Sequence, residues 1–306
     1  MNIYLPIAEM SLNIFILIGM GAIVGFLSGL FGVGGGFLIT PLLIFYNIPP
    51  AIAVGTSANQ VIASSISGAL SHLKRRSLDV KLGLFLSAGG LIGSVLGVGI
   101  FSLLRNIGQL DLIISLLYII LLGGVGVLMA IESWRSMRRV RAGASAMVRR
   151  PGQHNWIQRL PFKMRFRTSM IYVSIIPVLS IGFIIGLLSS IMGVGGGFIM
   201  VPALIYLMKV PTNVVVGTSL FQITIVSAFT TVLQSASNHS VDIVLAFLLM
   251  IGGVIGAQYG VRAGRKLKGE QLRLLLALLI LALALRLAFE LFVRPDSLFT
   301  ITLLGG

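Results

Sequence analysis

The chain contains no cysteine, which excludes disulfides, thiolate nucleophiles and cysteine-ligated metals. Charge is scarce as well. Eight acidic and 23 basic residues make up 10% of 306 positions, against 57% hydrophobic residues and a mean hydropathy of +1.04. A water-soluble globule of this length needs many more charged side chains to cover its surface, so soluble enzymes and soluble binding modules are excluded. Histidine is nearly absent too: His72, His154 and His239 lie far apart in or beside predicted loops, and with so few acidic residues no metal site and no cofactor is expected. The first apolar segment has neither a basic leader nor a small-residue cleavage site and reads as a retained span. What remains is long apolar runs and 37 glycines, the composition of an all-α polytopic membrane protein.

The runs are duplicated. Residues 21–97 and 182–260 align with small offsets: Gly21 with Gly182, Gly25 with Gly186, Gly32-Val-Gly-Gly-Gly-Phe37 with Gly193-Val-Gly-Gly-Gly-Phe198, and Pro41 with Pro202. Gly55-Thr-Ser57 and Gln60 then match Gly217-Thr-Ser219 and Gln222, and Asp79, Gly89, Gly90, Gly93 and Gly97 match Asp242, Gly252, Gly253, Gly256 and Gly260. Self-similarity on this scale makes the chain a repeated structural unit. The division is a first transmembrane repeat (1–131), a basic linker (132–168) and a second repeat (169–306).

Within each repeat a span (11–31; 171–192) precedes a short apolar piece (36–46; 197–208) and three further spans (50–72, 82–104, 110–131; 213–236, 242–262, 272–293). About a dozen residues at 1.5 Å each reach only about 18 Å, short of a hydrocarbon core of about 30 Å, so the short pieces are half-helices. Nineteen of the 23 basic residues lie in three places: 74–81, the 135–167 stretch and 262–273. If the short pieces do not cross, the second and third of these fall on opposite sides of the membrane, against the positive-inside rule. If they do cross, all three share one side. Each repeat then has five crossings, and an odd number inverts the second repeat relative to the first. The fold class expected is therefore an inverted five-plus-five repeat with short, glycine-interrupted half-helices at its centre, a cytoplasmic linker and both termini outside the cytoplasm. The formal charge of +15 is then a topology signal, and no nucleic-acid partner is expected. The arginine-rich 132–168 segment is a place where anionic lipids could bind.

Ionisable side chains are rare at membrane depth. The last span carries Arg286 and Glu290, spaced one turn apart and readable as an interfacial ion pair or as a coupling pair. The intramembrane carboxylate of an ion-coupled pump is not visible. Two constellations carry the chemistry instead. Gly34, Gly35 and Gly36, with Gly195, Gly196 and Gly197, lead into the half-helices, where exposed backbone N–H groups and a partial positive charge cradle an anion without a basic side chain. The other reading of these glycines is close helix packing, which suits Gly89, Gly90, Gly93 and Gly97 better than a triple glycine. Thr56, Ser57 and Gln60, with Thr218, Ser219 and Gln222, supply neutral donors, or else helix caps and interhelical hydrogen bonds. Asn59 extends the first set only, since Phe221 stands at its partner position. Asp79 and Asp242 read as helix caps.

The doubled Gly-Val-Gly-Gly-Gly-Phe with a proline four residues on, the doubled Gly-Thr-Ser-x-x-Gln and the two-half layout resemble the TauE/SafE family of sulfite exporters, also called the toluene-sulfonate uptake permease group. The resemblance spans about residues 11–293 and implies an anion permease of the inner membrane acting on sulfite or organosulfonates, and not an enzyme. The 132–168 linker departs from the compact central loop of that family. Moving an anion out of an inside-negative cell gains about 2.3 kcal/mol per charge per 100 mV, and uptake costs as much. Export by potential-driven alternating access is thus expected; an anion channel and an ion-coupled organosulfonate uptake carrier are the alternatives.

Overall fold

A computed structural model describes residues 2–7, 10–31, 34–141, 161–166, 168–238, 241–264 and 269–293. Each half opens with a two-stranded antiparallel hairpin. In the first, β1 (Asn2–Leu5) pairs with β2 (Met10–Asn13); in the second, β3 (Lys163–Phe166) pairs with β4 (Ile171–Ser174). Helices α1 (Ile14–Phe31), α2 (Gly36–Phe45), α3 (Pro50–Lys74), α4 (Val80–Ile107) and α5 (Leu110–Arg141) follow the first hairpin. The second is followed by α6 (Ile175–Met192), α7 (Gly197–Pro202), α8 (Thr212–Asn238), α9 (Ile243–Gly264) and α10 (Gly269–Val293). The hairpins differ from the helical spans expected at 11–13 and 171–174, because four apolar residues carry too short a pattern to separate strand from helix. Helix α5 runs ten residues past 131 into the segment read as a linker, which has no glycine or proline before Gly143 to stop it.

Local chemistry sets the helix boundaries. Pro50 occupies the first turn of α3, where its missing N–H costs nothing. Ser174 caps α6 through Ile176 N, and Gly108 and Gly193 close α4 and α6 in the left-handed conformation. Pro202 ends the regular turn of α7, which continues as a π-helical turn over Ala203–Leu207. Among the described residues six helices (α1, α4, α5, α6, α8 and α9) contain stretches long and apolar enough to cross a membrane, and Gly36–Phe45, Gly197–Leu207 and Leu274–Phe289 form shorter apolar helices. Helix α3 has the length, at 25 residues, but carries eight Ser, Thr, Asn and Gln side chains, which suits an interior helix better than a lipid-facing one.

The two halves interlock. Helix α1 packs along α9 and α6 along α4, while α3 lies against α8 and α5 against α10. Glycines make the first two seams. A Cβ on Gly21, Gly25 or Gly29 would collide with the backbone of Leu249, Gly253 or Ala257 on α9, and one on Gly182 or Gly186 with the backbone of Leu86 or Gly90 on α4. Conversely, Gly89 and Gly93 lie against the carbonyls of Leu179 and Phe183. The packing reading of the alternating glycines therefore holds, and these backbones approach as small-residue helix pairs do in membranes.

Candidate functional site

The two triple-glycine turns meet at the centre. Gly34 and Gly35 adopt φ of 85° and 73°, and Gly195 and Gly196 φ of 72° and 71°. L-residues pay about 1–2 kcal/mol in this region, so Gly35 and Gly196, the N-caps of α2 and α7, are needed for their backbone and not only for their size. No side chain caps either helix, and the first N–H groups of a helix lack intrahelical partners. The turns touch each other: a Cβ on Gly36 would strike Val194 O, and the rings of Phe37 and Phe198 lie 6.0 Å apart between centroids, tilted by 36°. Val61 lies against Gly36 and Gly195, and its matched residue Ile223 lies against Gly34 and Gly195.

The hydroxyls of the Gly-Thr-Ser motifs are committed to the frame. Thr56 Oγ1 accepts the backbone N–H of Asp242 at 3.0 Å, and Thr218 Oγ1 that of Asp79 at 3.1 Å. Each threonine thus ties its own half to the other. Asp79 Oδ1 caps Leu82 N at 3.1 Å while its Oδ2 accepts Ser169 N and Oγ of the second hairpin at 3.0 and 2.8 Å. Asp242 repeats the arrangement, with Oδ1 on Leu245 N and Oδ2 on Ile7 N of the first hairpin, both at 3.0 Å. One oxygen of each buried carboxylate accepts an N–H at a helix start and the other accepts donors from a hairpin of the other half. Ser57 Oγ accepts from Thr40 Oγ1 at 2.8 Å and lies 3.0 Å from both Val54 O and Gly193 O, fastening α3 to the glycine turn of the other half. Ser219 Oγ donates to Val216 O at 3.0 Å.

The glutamines behave differently. Gln60 and Gln222 are fully buried, and neither the amide nitrogen nor the carbonyl oxygen of either finds a partner in the fold. Gln60 lies against Gly253 of α9 and Gln222 against Gly90 of α4, each ten residues, about 15 Å, into its helix and so near mid-depth of a core of about 30 Å. Asn59, half-buried, also leaves its amide nitrogen unpartnered. Two further residues join this set without having been singled out in the sequence. Ser65 and Ser227 are buried and unpartnered, with their hydroxyls 3.4 and 3.5 Å from where a Cβ on Gly34 and on Gly195 would stand. The signal was available: they are the same residue at matched positions, five after each glutamine.

Elsewhere, His72 Nδ1 pairs with Ser77 Oγ at 2.9 Å; His154 and His239 lie outside the described residues. The Arg286 guanidinium stacks 4.0 Å above the Phe45 ring, while the Glu290 side chain lies outside the described set. A second polar chain joins α8 to α4 and α6: Gln234 donates to Ser190 O, Asn238 to Gln234 Oε1, and Ser102 to Asn238 Oδ1.

Residues 17–287 match the family model described as "Sulfite exporter TauE/SafE". The probable membrane transporter protein YjnA of Bacillus subtilis is 30% identical over 271 residues, 88% of this chain and 97% of its own length. A second Bacillus subtilis protein, the probable membrane transporter protein YunE, is 27% identical over 90% of this chain and 97% of its own. Sulfite exporter TauE/SafE family protein 3 of Arabidopsis thaliana is 32% identical over a 114-residue stretch, 35% of this chain and 24% of its own. No solved structure matches the chain significantly.

Proposed function

The chain belongs to the sulfite exporter TauE/SafE family of multi-pass membrane transporters, and from that membership we propose that it exports small sulfur oxyanions, sulfite or organosulfonates, across the inner membrane. The observation that carries this reading is the matched set of buried polar groups without partners at mid-depth: Gln60, Gln222, Ser65 and Ser227. Each unpaired buried group costs about 1–3 kcal/mol, so a fold that keeps four in matched positions gains from them in a state where they are bonded. An oxyanion supplies that bonding. Amide N–H groups, hydroxyls and the first N–H groups of the glycine-led helices all donate, and all are neutral, so the anion is held without a competing counter-ion.

The remaining elements fit alternating access. Charge placement calls for inverted repeats, and the proposed site lies where the glycine turns of α2 and α7 meet, so rocking one half against the other would expose it to either side in turn. The membrane potential drives an anion outward. The threonines, Ser57 and the capped aspartates hold the frame around this site, and the binding set narrows to the glycine turns, Gln60, Gln222, Ser65 and Ser227, with Asn59 at its edge.

The test is sulfite efflux from proteoliposomes containing the wild-type protein, Gln60→Leu or Gln222→Leu, each at equal reconstituted amounts. The wild type should release sulfite saturably. Each variant should fold and lose roughly tenfold or more of the flux, the effect of one lost charge-assisted hydrogen bond. Wild-type flux in both variants would remove the glutamines from the site.

A further inference from the structure

Away from the centre, α3 and α9 frame a cavity of about 330 Å³ near the end of α3 that carries Arg75 and the end of α9 that carries Arg262; Ser67, Ser71, Arg75, Gln258 and Arg262 line it together with Leu70 and Val261. Its position is peripheral. Leu70 is 53% exposed, and the residues at the matched positions of Leu70 and Gln258, Val232 and Val95, are 65% and 51% exposed. Exposed apolar side chains at these positions suit a surface in contact with acyl chains.

The repeat supplies a control for what such a groove requires. On the matched α8–α4 seam, Phe229 stands for Ser67, Leu233 for Ser71, Ser237 for Arg75, Val95 for Gln258 and Gly99 for Arg262. At these five positions one copy carries Phe229, Leu233, Val95 and Gly99 with the single hydroxyl of Ser237; the other carries two guanidinium groups, an amide and two hydroxyls. Polar groups facing lipid are costly unless something bonds them. Their order along the groove says what does. Arg75 and Arg262 stand at the mouth, with the Arg262 guanidinium 5.8 Å from the Tyr259 ring. Gln258 lies one turn deeper, about 6 Å, and Ser67 eight residues below Arg75, about 12 Å.

We infer that this groove binds the headgroup of an anionic phospholipid of the cytoplasmic leaflet. The two arginines take the phosphate, Gln258 and Ser67 donate to the glycerol-ester carbonyls beneath it while the Ser71 hydroxyl stays on Ser67 O, and Leu70 and Val261 flank the start of an acyl chain. A small free anion would use the arginines alone and would leave the deeper donors unexplained. Basic pockets between membrane helices on this side are suited to such lipids.

The test uses the purified full-length chain in neutral detergent, with bound lipid counted by native mass spectrometry after adding phosphatidylglycerol or phosphatidylcholine. Phosphatidylglycerol should be retained over phosphatidylcholine, and each of Arg75→Gln and Arg262→Gln should cut that preference about fivefold. Lys209→Gln, a basic residue outside the groove, should leave the preference intact. Gln258→Val, which installs the residue of the matched seam, should weaken both lipids and keep the ratio between them. Inorganic phosphate should not displace the lipid. Equal retention of the two lipids by the wild type, an unchanged preference in the arginine variants, or displacement by inorganic phosphate would each overturn the assignment.

Discussion

A glutamine without a partner inside its own protein weakens the fold that carries it, and this separates the residues that hold the molecule together from those proposed to act on a substrate. Gln60→Leu and Gln222→Leu remove buried, unbonded amides, so each should raise thermal stability in detergent by about 1–3 kcal/mol even as flux falls. Thr56→Ala should do the reverse. It strands the Asp242 N–H and should lower stability by about 1–3 kcal/mol, and Thr56→Ser should restore it; the melting temperatures of the four variants check both signs. Gly35→Val and Gly196→Val force a β-branched residue into φ near 70° and should abolish flux. The glutamines were legible in the sequence because the motif that contains them occurs twice. Their difference from the neighbouring Thr and Ser was not, because motif chemistry gives the donors and acceptors but not which of them the opposite half will occupy. The pairing of Thr56 with Asp242 spans 186 residues, beyond the reach of any local pattern.

Among the elements, the seams between α1 and α9 and between α4 and α6 depend on backbone approaching backbone, and the chain's many glycines divide by whether they lie on them. Gly186→Ala puts a methyl group into the carbonyl of Gly90, whereas Gly123 of α5 has open space where its Cβ would be. Gly186→Ala should therefore reduce stability and folded yield, and Gly123→Ala should leave stability unchanged or raise it by up to about 1 kcal/mol; thermal unfolding of the two proteins compares them directly. Element positions followed well from hydropathy and glycine–proline punctuation: the half-helices expected at 36–46 and 197–208 occur at 36–45 and 197–207. The hairpins were missed. Their role was missed with them, since the tips of both fold back to hydrogen-bond a buried aspartate at the start of a helix in the other half.

For the molecule as a whole, the element order of the first half recurs in the second, and the crossed contacts recur with it, α1 on α9 and α6 on α4. Charge placement then fixes the orientation expected of it: the basic loops face the cytoplasm, and a reporter fused after residue 306 should lie outside it. A cytoplasmic reporter would contradict the proposed inverted arrangement, on which two-sided access depends. The proposed site offers an anion neutral donors and, among the described residues, holds no carboxylate beside Gln60, Gln222, Ser65 and Ser227 for a coupling ion to titrate. The transport step should accordingly run on the potential alone. The measurement that tests this most directly is sulfite flux in proteoliposomes with the membrane potential clamped in either sense and no proton or sodium gradient. Saturable movement that reverses with the sign of the potential is the expected result. Flux that begins only when an ion gradient is imposed would contradict it.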